Sequence, residues 1–525
     1  MLAFAAKTNL KDQQALAIKT ERKQELTMNL SGKSYINGAW QAAQAATTFY
    51  AFCPATNEAL TQAFFNASEA QVEEAVNAAE QAFKAYRKTS MTARAEFLET
   101  IAQEILALGD ELITTTMAET NLPRPRLEGE RGRTVNQLNA FAAALRDNLT
   151  ELSLDKEEQA DPNRTPLPKP KSQLKHIPIG TVAVFGASNF PYAFSTLGGD
   201  TAAALAAGCP VVYKGHPAHP ATCELMTKAI ATAISKCDMP SGVFSMLQAT
   251  AYDVAHWLVE AKPIKAVGFT GSFGVAKALQ DTIAKRHEPI PLYGELGSVN
   301  PQIVLPEKVQ AKGAELGAQF VQSLLMGNGQ FCTSPGIWLV PRNSSQTFIE
   351  TTKRHISEAP SDTLLTPGIL KAYQNSIAAL KAHPQVTLLS AGEQAQPFHA
   401  SAHLFLTDSE SFATDARLKE EVFGPSALVV SYDNLAQLED LIADLDGQLT
   451  ASIHGTESDL YQAEGIIEAL QYRVGRLIYG QMPTGVEVCA TMNHGGPFPS
   501  STDVRSTSVG LEALKRFVRP ICIQS

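Results

Sequence analysis

From Ile177 the chain settles into a regular alternation of strand-like and helix-like segments. Thr181-Val-Ala-Val-Phe185 is a short β-branched apolar run, and Gly186-Ala-Ser-Asn-Phe-Pro191 breaks it before an alanine-rich helical stretch ending at Gly208. Pro210-Val-Val-Tyr-Lys214 reads as the next strand, residues 220–236 as a helix and residues 243–247 as a third strand. A helix over 251–261 then leads to Ile264-Lys-Ala-Val-Gly-Phe269. Strands separated by whole helices pair in parallel, with the crossover helices covering both faces of the sheet. The fold class is α/β, and sheets of this kind bind ligands beyond the carboxyl ends of their strands. Gly268-Phe-Thr-Gly-Ser272 falls at such an end. Ser272 is a natural helix N-cap, and the amides behind it suit a phosphate. Gly-Ser before a helix is also ordinary capping chemistry, and these glycines do not form G-x-G-x-x-G.

A second alternating region follows Glu295, with a strand at 302–305, a helix at 307–325 and a strand at 337–340. Between that helix and strand lies Met326-Gly-Asn-Gly-Gln-Phe-Cys-Thr-Ser-Pro-Gly336, a turn-rich loop centred on Cys332. A thiol in a loop held between rigid elements is placed to attack a substrate. A single cysteine also serves as a small buried hydrophobe. Helices at 345–358 and 368–383 and a strand at 427–431 follow, and Asn493-His-Gly-Gly-Pro-Phe-Pro-Ser500 reads as loop. Upstream, Lys33-Ser-Tyr-Ile-Asn-Gly-Ala-Trp40 has the Asn-Gly turn of a hairpin. Helical spacing covers 67–88, 92–108 and, after a break at Gly109-Asp110, 111–119. Asn121-Leu-Pro-Arg-Pro-Arg126 cannot be helix interior, and a long helix over 127–148 carries Arg131 and Arg133.

Residues 151–175 are rich in charge and proline, which fits either a linker or an arm that packs on a partner subunit. At 525 residues the chain exceeds one core, and about 150 residues per domain gives two to four. The expected division is a cofactor domain over 30–150 and 173–294, a catalytic domain over 295–490, and an oligomerisation element from 151–172 and 491–525. Residues 1–29 read as a disordered extension. Met1-Leu-Ala-Phe-Ala-Ala6 is too short for a signal peptide, and Asp12, Glu21 and Glu25 oppose a transit peptide.

The net charge of −10, without a basic cluster, speaks against nucleic acid as a partner. No apolar run approaches the roughly 18–20 residues of a membrane span. The seven cysteines form no C-x-x-C, and no H-E-x-x-H occurs, so no metal site is expected. A reduced, cytoplasmic protein fits this cysteine usage.

Phe185-Gly-Ala-Ser-Asn-Phe-Pro191, Phe269-Thr-Gly-Ser272, Tyr293-Gly-Glu-Leu-Gly297, Gly329-Gln-Phe-Cys332 and Glu420-Glu-Val-Phe-Gly-Pro425 occur in this order along the chain. Together they resemble the NAD(P)-dependent aldehyde dehydrogenase superfamily, from about residue 30 to the C-terminus. Gly129-Glu-Arg-Gly-Arg-Thr134, Gly198-Gly-Asp-Thr201, Lys214-Gly-His-Pro-Ala-His-Pro220 and Ile290-Pro-Leu-Tyr-Gly-Glu-Leu-Gly297 narrow the likeness. They point to the branch of 2,5-dioxovalerate (α-ketoglutarate semialdehyde) dehydrogenases and a bacterial fatty-aldehyde dehydrogenase. The resemblance implies a Rossmann-type cofactor domain, an α/β catalytic domain and a homodimer or homotetramer.

It also implies roles. Cys332 would attack the aldehyde, and the Asn189 amide with the Cys332 backbone N–H would hold the oxyanion. Glu295 would activate water against the thioester, with a carboxyl raised by its glycine and apolar neighbours. Lys214, His216, Pro217, Gly271, Ser272, Glu421 and Phe423 fall in the cofactor motifs, Glu421 on the nicotinamide ribose and Phe423 against its ring. Without the resemblance, Asn189 is a turn residue, Glu295 a solvated acid, Glu421 a surface acid, Phe423 a core aromatic, and His216 and His219 turn residues.

Two departures bear on specificity. Ser188 stands where many relatives carry tryptophan, and Pro217 where many carry the acid that holds the adenosine ribose. Without that carboxylate NADP is accepted, with NAD still possible. Phe190, Phe331 and Thr333 flank the expected substrate site. The resemblance, which has this helix border the substrate tunnel, implies a tunnel-facing position for Arg133, where a guanidinium would grip the distal carboxylate of 2,5-dioxopentanoate, while Arg131 points about 200° away. The alternative for 129–134 is a structural salt-bridge turn. Rival functions are another aldehyde, fatty ones included, a cysteine hydrolase or acyltransferase, for which no histidine motif accompanies the cysteine, and an inactive binding relative.

Overall fold

The computed structural model describes residues 30–44 and 46–525, so the extension expected over 1–29 lies outside the described residues. Thr181–Phe185, buried at every position, sits in the middle of a seven-stranded sheet. The order is Leu292–Glu295, Ile264–Thr270, Thr181–Phe185, Val211–Lys214, Phe244–Leu247, Ser34–Ile36, Ala39–Gln41. The first five strands are parallel, and the Asn37-Gly38 hairpin joins antiparallel at the edge. Chain order runs outward from Thr181–Phe185 to Phe244–Leu247 and then restarts on the opposite side with Ile264–Thr270. That reversal opens a crevice at the carboxyl edge, between Thr181–Phe185 and Ile264–Thr270.

Helix Pro220–Lys236 matches the expected bounds. Its first turn is capped from outside by Glu119, the buried penultimate residue of helix Gly109–Thr120. The Glu119 carboxylate accepts the amides of Ala221 (2.8 Å) and Thr222 (2.9 Å) and the Thr222 hydroxyl (2.7 Å), so donors that a helix start leaves open are satisfied. The long helix begins earlier than expected, at Arg124, with Pro125 tolerated in its first turn.

The second sheet also has seven strands, in the order Thr387–Ala391, His403–Asp408, Ser426–Tyr432, Ile337–Pro341, Gln302–Val304, Gln448–His454, Val474–Tyr479, all parallel except the first. Cys332 lies just before Ile337–Pro341, Glu421 and Phe423 just before Ser426–Tyr432, and Asn300 just before Gln302–Val304. The amino edge of this sheet therefore faces the carboxyl edge of the first.

Residues 151–175 are not a bare linker. Lys156–Glu158 and Ser172–Pro178 form an antiparallel three-stranded sheet with the C-terminal Val518–Gln524. Residues 494–508, grouped with that element on sequence, instead run along strand Leu292–Glu295: the Leu296 amide donates to the Ser500 carbonyl (2.9 Å) and the Thr502 amide to the Gly294 carbonyl (3.1 Å). A hairpin of Thr48–Cys53 and Glu58–Phe65 was not foreseen. No helix among the described residues is long and apolar enough to cross a membrane.

Glu119→Ala leaves the donors at the start of Pro220–Lys236 buried and unpaired, at a cost of about 2–3 kcal/mol. The midpoint of thermal unfolding should fall accordingly. An unchanged midpoint would show that this cap contributes no stability.

Candidate active site

Glu295 ends its strand at the carboxyl edge of the first sheet. The Cys332 loop opposite is pinned by Asn300, a buried residue in the left-handed region (φ 46°). The Asn300 amide donates to the carbonyls of Cys332 (2.8 Å) and Ser334 (2.9 Å). Gly329 (φ 71°) allows the loop to lie against Gly424, because a Cβ there would stand 2.2 Å from the Gly424 carbonyl. The Gly-Gln-Phe-Cys and Glu-Glu-Val-Phe-Gly-Pro runs are thus two sides of one contact. Asn189, buried in the turn after Thr181–Phe185, donates from Nδ2 to the Gln330 carbonyl (2.9 Å). Asn189, Glu295 and Cys332 come together as expected.

The structure adds His494. Its Nε2 lies 3.5 Å from Cys332 Sγ and 2.7 Å from Glu295 Oε1, with the ring 1% exposed. The His494 amide donates to Thr507 Oγ1 (2.8 Å), and Ser508 Oγ donates to Glu295 Oε2 (2.5 Å) and to the His494 carbonyl (3.1 Å). Sequence reading missed this histidine because 162 residues separate it from the cysteine and Asn493-His-Gly-Gly carries only a loop signal.

Burial pushes the Glu295 carboxyl up, but the charge and hydrogen bond of His494, joined by hydrogen bonds from Ser508 and Cys332, outweigh it and hold the group below its ordinary value. This corrects the expectation of a raised carboxyl, which took account of chain neighbours and not of the tail. The half-buried Cys332 moves the other way. Lost hydration raises its thiol well above the usual range, Glu295 and Glu421 add to the rise, and Arg133 opposes it. The thiol therefore rests protonated, hydrogen-bonded to the Glu295 carboxylate.

On the crevice side, Lys214 Nζ donates to the carbonyls of Ala249 (2.9 Å) and Gly215 (3.3 Å), and burial lowers its ammonium to about 8. The turn beyond it is built by histidines. The His216 ring stacks on His219 at 5.1 Å, and His216 Nδ1 accepts the Ala218 amide (3.2 Å). His219 Nε2 lies 3.1 Å from the Ala187 carbonyl. Pro217 sits half-buried at the tip of this turn. Gly271 and Ser272 follow Ile264–Thr270, and Ser272 takes the N-cap position of helix Phe273–Ile283 without its side chain bonding the helix. Glu421 and Phe423 line a cavity of about 260 Å³. Glu421 is exposed to it, yet desolvation by the surrounding walls pushes its carboxyl up to about 7 against the pull of the Ser298 amide. A Cβ on Gly297 would stand 2.5 Å from that carboxylate. An acceptor carboxylate on the second sheet's edge, with a helix N-terminus and a cation on the facing edge of the first, fit a nicotinamide dinucleotide.

Cys332 also lines a second cavity of about 730 Å³ with Arg133, Phe190, Phe331, Thr333 and Arg476. Phe190 stands edge-on to Phe331 at 5.2 Å, and Thr333 is buried. Arg133 donates from Nε to the Val486 carbonyl (3.2 Å) and lies 5.0 Å over Phe194, while its buried Nη2 has no partner among the described residues. Arg476, which sequence reading passed over, donates to the carbonyls of Gly485 (2.9 Å) and Pro483 (2.6 Å) and keeps a buried, unpartnered Nε. Arg131 donates to the Gly109 carbonyl (2.7 Å), away from the cavity.

A thiol, a carboxylate and an amide gathered where a doubly wound sheet meets a second parallel sheet belong to a known class. The chain is a member of the aldehyde dehydrogenase family, whose family model matches residues 40–519, and is thus a nicotinamide-dependent aldehyde oxidoreductase. It is 43% identical over 501 residues to alpha-ketoglutaric semialdehyde dehydrogenase 2 of Azospirillum brasilense, across 95% of each chain. It is 42% identical over 507 residues to alpha-ketoglutaric semialdehyde dehydrogenase of Acinetobacter baylyi, across 94% of each. A solved aldehyde dehydrogenase variant from Bacillus cereus shares the fold at a TM-score of 0.81 and 21% identity, over 95% of this chain and 98% of that one.

Since the Cys332 thiol titrates above its usual range, its alkylation by iodoacetamide should climb about tenfold per pH unit between about pH 7 and 9. A rate already level at pH 7 would mean that the resting group is a thiolate.

Proposed function

We propose that the protein oxidises 2,5-dioxopentanoate to 2-oxoglutarate and accepts NADP at least as well as NAD. Cys332 gives up its proton to solvent in the cavity it lines as sulfur bonds to the aldehyde carbon, and the carbonyl electron pair moves onto oxygen. Asn189 Nδ2, one of whose N–H bonds is taken by Gln330, and the Cys332 backbone N–H stabilise that oxyanion. Each such donor is worth about 3–4 kcal/mol of barrier. When bound, the oxidised nicotinamide supplies the hydride acceptor, and loss of hydride leaves a thioester on Cys332. Glu421 and Phe423 would hold the nicotinamide ribose and ring, while Lys214, His216, Pro217 and the amides behind Gly271 and Ser272 would take the rest of the dinucleotide. Glu295, ionised because His494 holds it low, takes a proton from water as the oxygen attacks the thioester. The carbon–sulfur bond breaks, and Glu295 returns a proton to the leaving Cys332 sulfur, while His494, 2.7 Å away, keeps the carboxylate in place. His494 stands where a cysteine hydrolase would carry its base, but its charge and hydrogen bond are spent on Glu295.

What carries the substrate reading is the pair of guanidinium groups in the cavity that holds Cys332. A neutral fatty chain gains nothing from two half-buried cations, whereas an α-keto acid end offers acceptors to Arg133 Nη2 and Arg476 Nε. The names of the two relatives near 43% identity point the same way. For the cofactor, Pro217 leaves the adenosine ribose without a repelling carboxylate. The same reading makes the protein a cytoplasmic homodimer or homotetramer. All seven cysteines are free, and strand Val518–Gln524 is a sheet edge with Ile521 and Ile523 exposed, suited to a second copy.

An aldehyde panel assayed with each cofactor tests this reading. Arg133→Met should raise KM for the acidic semialdehyde about tenfold, near 1.4 kcal/mol, and spare neutral aldehydes of similar length. Pro217→Glu should move preference toward NAD. Equal losses on acidic and neutral aldehydes, or a wild type that strongly favours NAD, would contradict the respective halves.

A further inference from the structure

We propose that Arg126 and Glu130 act as a positioning clamp that sets the Asn189 amide against Cys332. This rests on Asn189 being the oxyanion donor.

The two residues stand one turn apart on helix Arg124–Arg146 and grip opposite ends of the same turn. Arg126 Nη2 donates to the Asn189 carbonyl at 2.5 Å. Glu130 Oε1 accepts the amides of Tyr192 (2.8 Å) and Ala193 (3.0 Å). Held at both ends, Asn189-Phe-Pro-Tyr-Ala193 cannot slide along the helix. The Arg126 guanidinium also lies 5.0 Å from the Phe190 ring and 4.7 Å from the Phe331 ring. Phe190 follows the amide donor and Phe331 precedes the nucleophile, so one cation contacts both reacting loops. The cysteine loop is shaped around it: a Cβ on Gly327 (φ 57°) would stand 2.8 Å from Arg126 Nη1 and 2.6 Å from the Phe331 ring.

Stability alone does not account for this arrangement. Arg126 Nε and Nη1 and Glu130 Oε2 are buried without partners among the described residues. Desolvation opposes the charge on each group, and the charge on the other partly offsets it. Opposite charges drawn out of water without closing an ion pair, and with hydrogen bonds unmet, gain little over apolar packing, but their directed bonds fix geometry. Oxyanion stabilisation is sensitive to that geometry, because the donor must meet the oxygen where charge develops.

A double-substitution cycle on full-length enzyme, with kcat, thermal midpoint and Cys332 alkylation rate as readouts, tests the clamp. Arg126→Met should lower kcat about 10–100-fold, as for a displaced oxyanion donor, and leave alkylation within about threefold, because alkylation needs no oxyanion. In an Asn189→Ala background the same substitution should cost under about threefold, since no amide remains to be placed. Arg126→Lys, which keeps a cationic donor, should fall between and serves the same cycle if the methionine variant does not fold. Full additivity with a damaging Asn189→Ala, or a parallel collapse of alkylation, would overturn the clamp alone. A harmless Asn189→Ala would remove the oxyanion reading and the clamp with it.

Discussion

The site depends on a buried imidazole placed between a carboxylate and a thiol. Glu295 sits at the end of a strand among groups that give a charge little solvation, and a lone carboxylate there would be driven toward its neutral form. His494, 2.7 Å away, and the Ser508 hydroxyl at 2.5 Å reverse that outcome. Both arrive on the segment that lies along Leu292–Glu295, so correct seating of the tail is a condition of the chemistry. The same imidazole lies 3.5 Å from Cys332, whose thiol is itself hydrogen-bonded to the carboxylate that the imidazole keeps ionised.

The rest of the architecture brings these groups to one line. Five parallel strands present their carboxyl ends, carrying the Asn189 turn, Lys214, Gly271, Ser272 and Glu295, on one edge. The second sheet presents its amino ends, with Asn300, Cys332, Glu421 and Phe423. Neither edge holds a complete site. Asn300 fixes the cysteine loop from its own sheet, while Asn189 reaches Gln330 from the other. Phe331 borders both the cavity that Glu421 and Phe423 line and the arginine-lined cavity.

Much of this was legible in the sequence, where local chemistry decides. Thr181–Phe185, Pro220–Lys236 and the Asn37-Gly38 turn follow from β-branched runs, helical spacing and positive-φ residues. Cys332, Glu295 and Asn189 carried motif signals and do meet. What escaped were features set by distant pairing. Lys156–Glu158 is exposed at every position, so it lacks the alternation that marks a strand and is held only by its neighbour Ser172–Pro178. His494 and Arg476 lie in stretches without local signal and enter the site through tertiary contacts. The Glu295 carboxyl was misjudged for the same reason, since the group that lowers it comes from residue 494.

The central claim is that Cys332 carries the acyl group and that Glu295 is needed to release it. The direct measurement is rapid mixing of Glu295→Gln enzyme with 2,5-dioxopentanoate and NADP, followed by acid quench and peptide mass analysis. The account predicts about one reduced cofactor per site in a fast phase, a slow steady state, and an acyl adduct on the Cys332 peptide. A steady state as fast as the wild type, or a fast phase that leaves no adduct on that peptide, would contradict it.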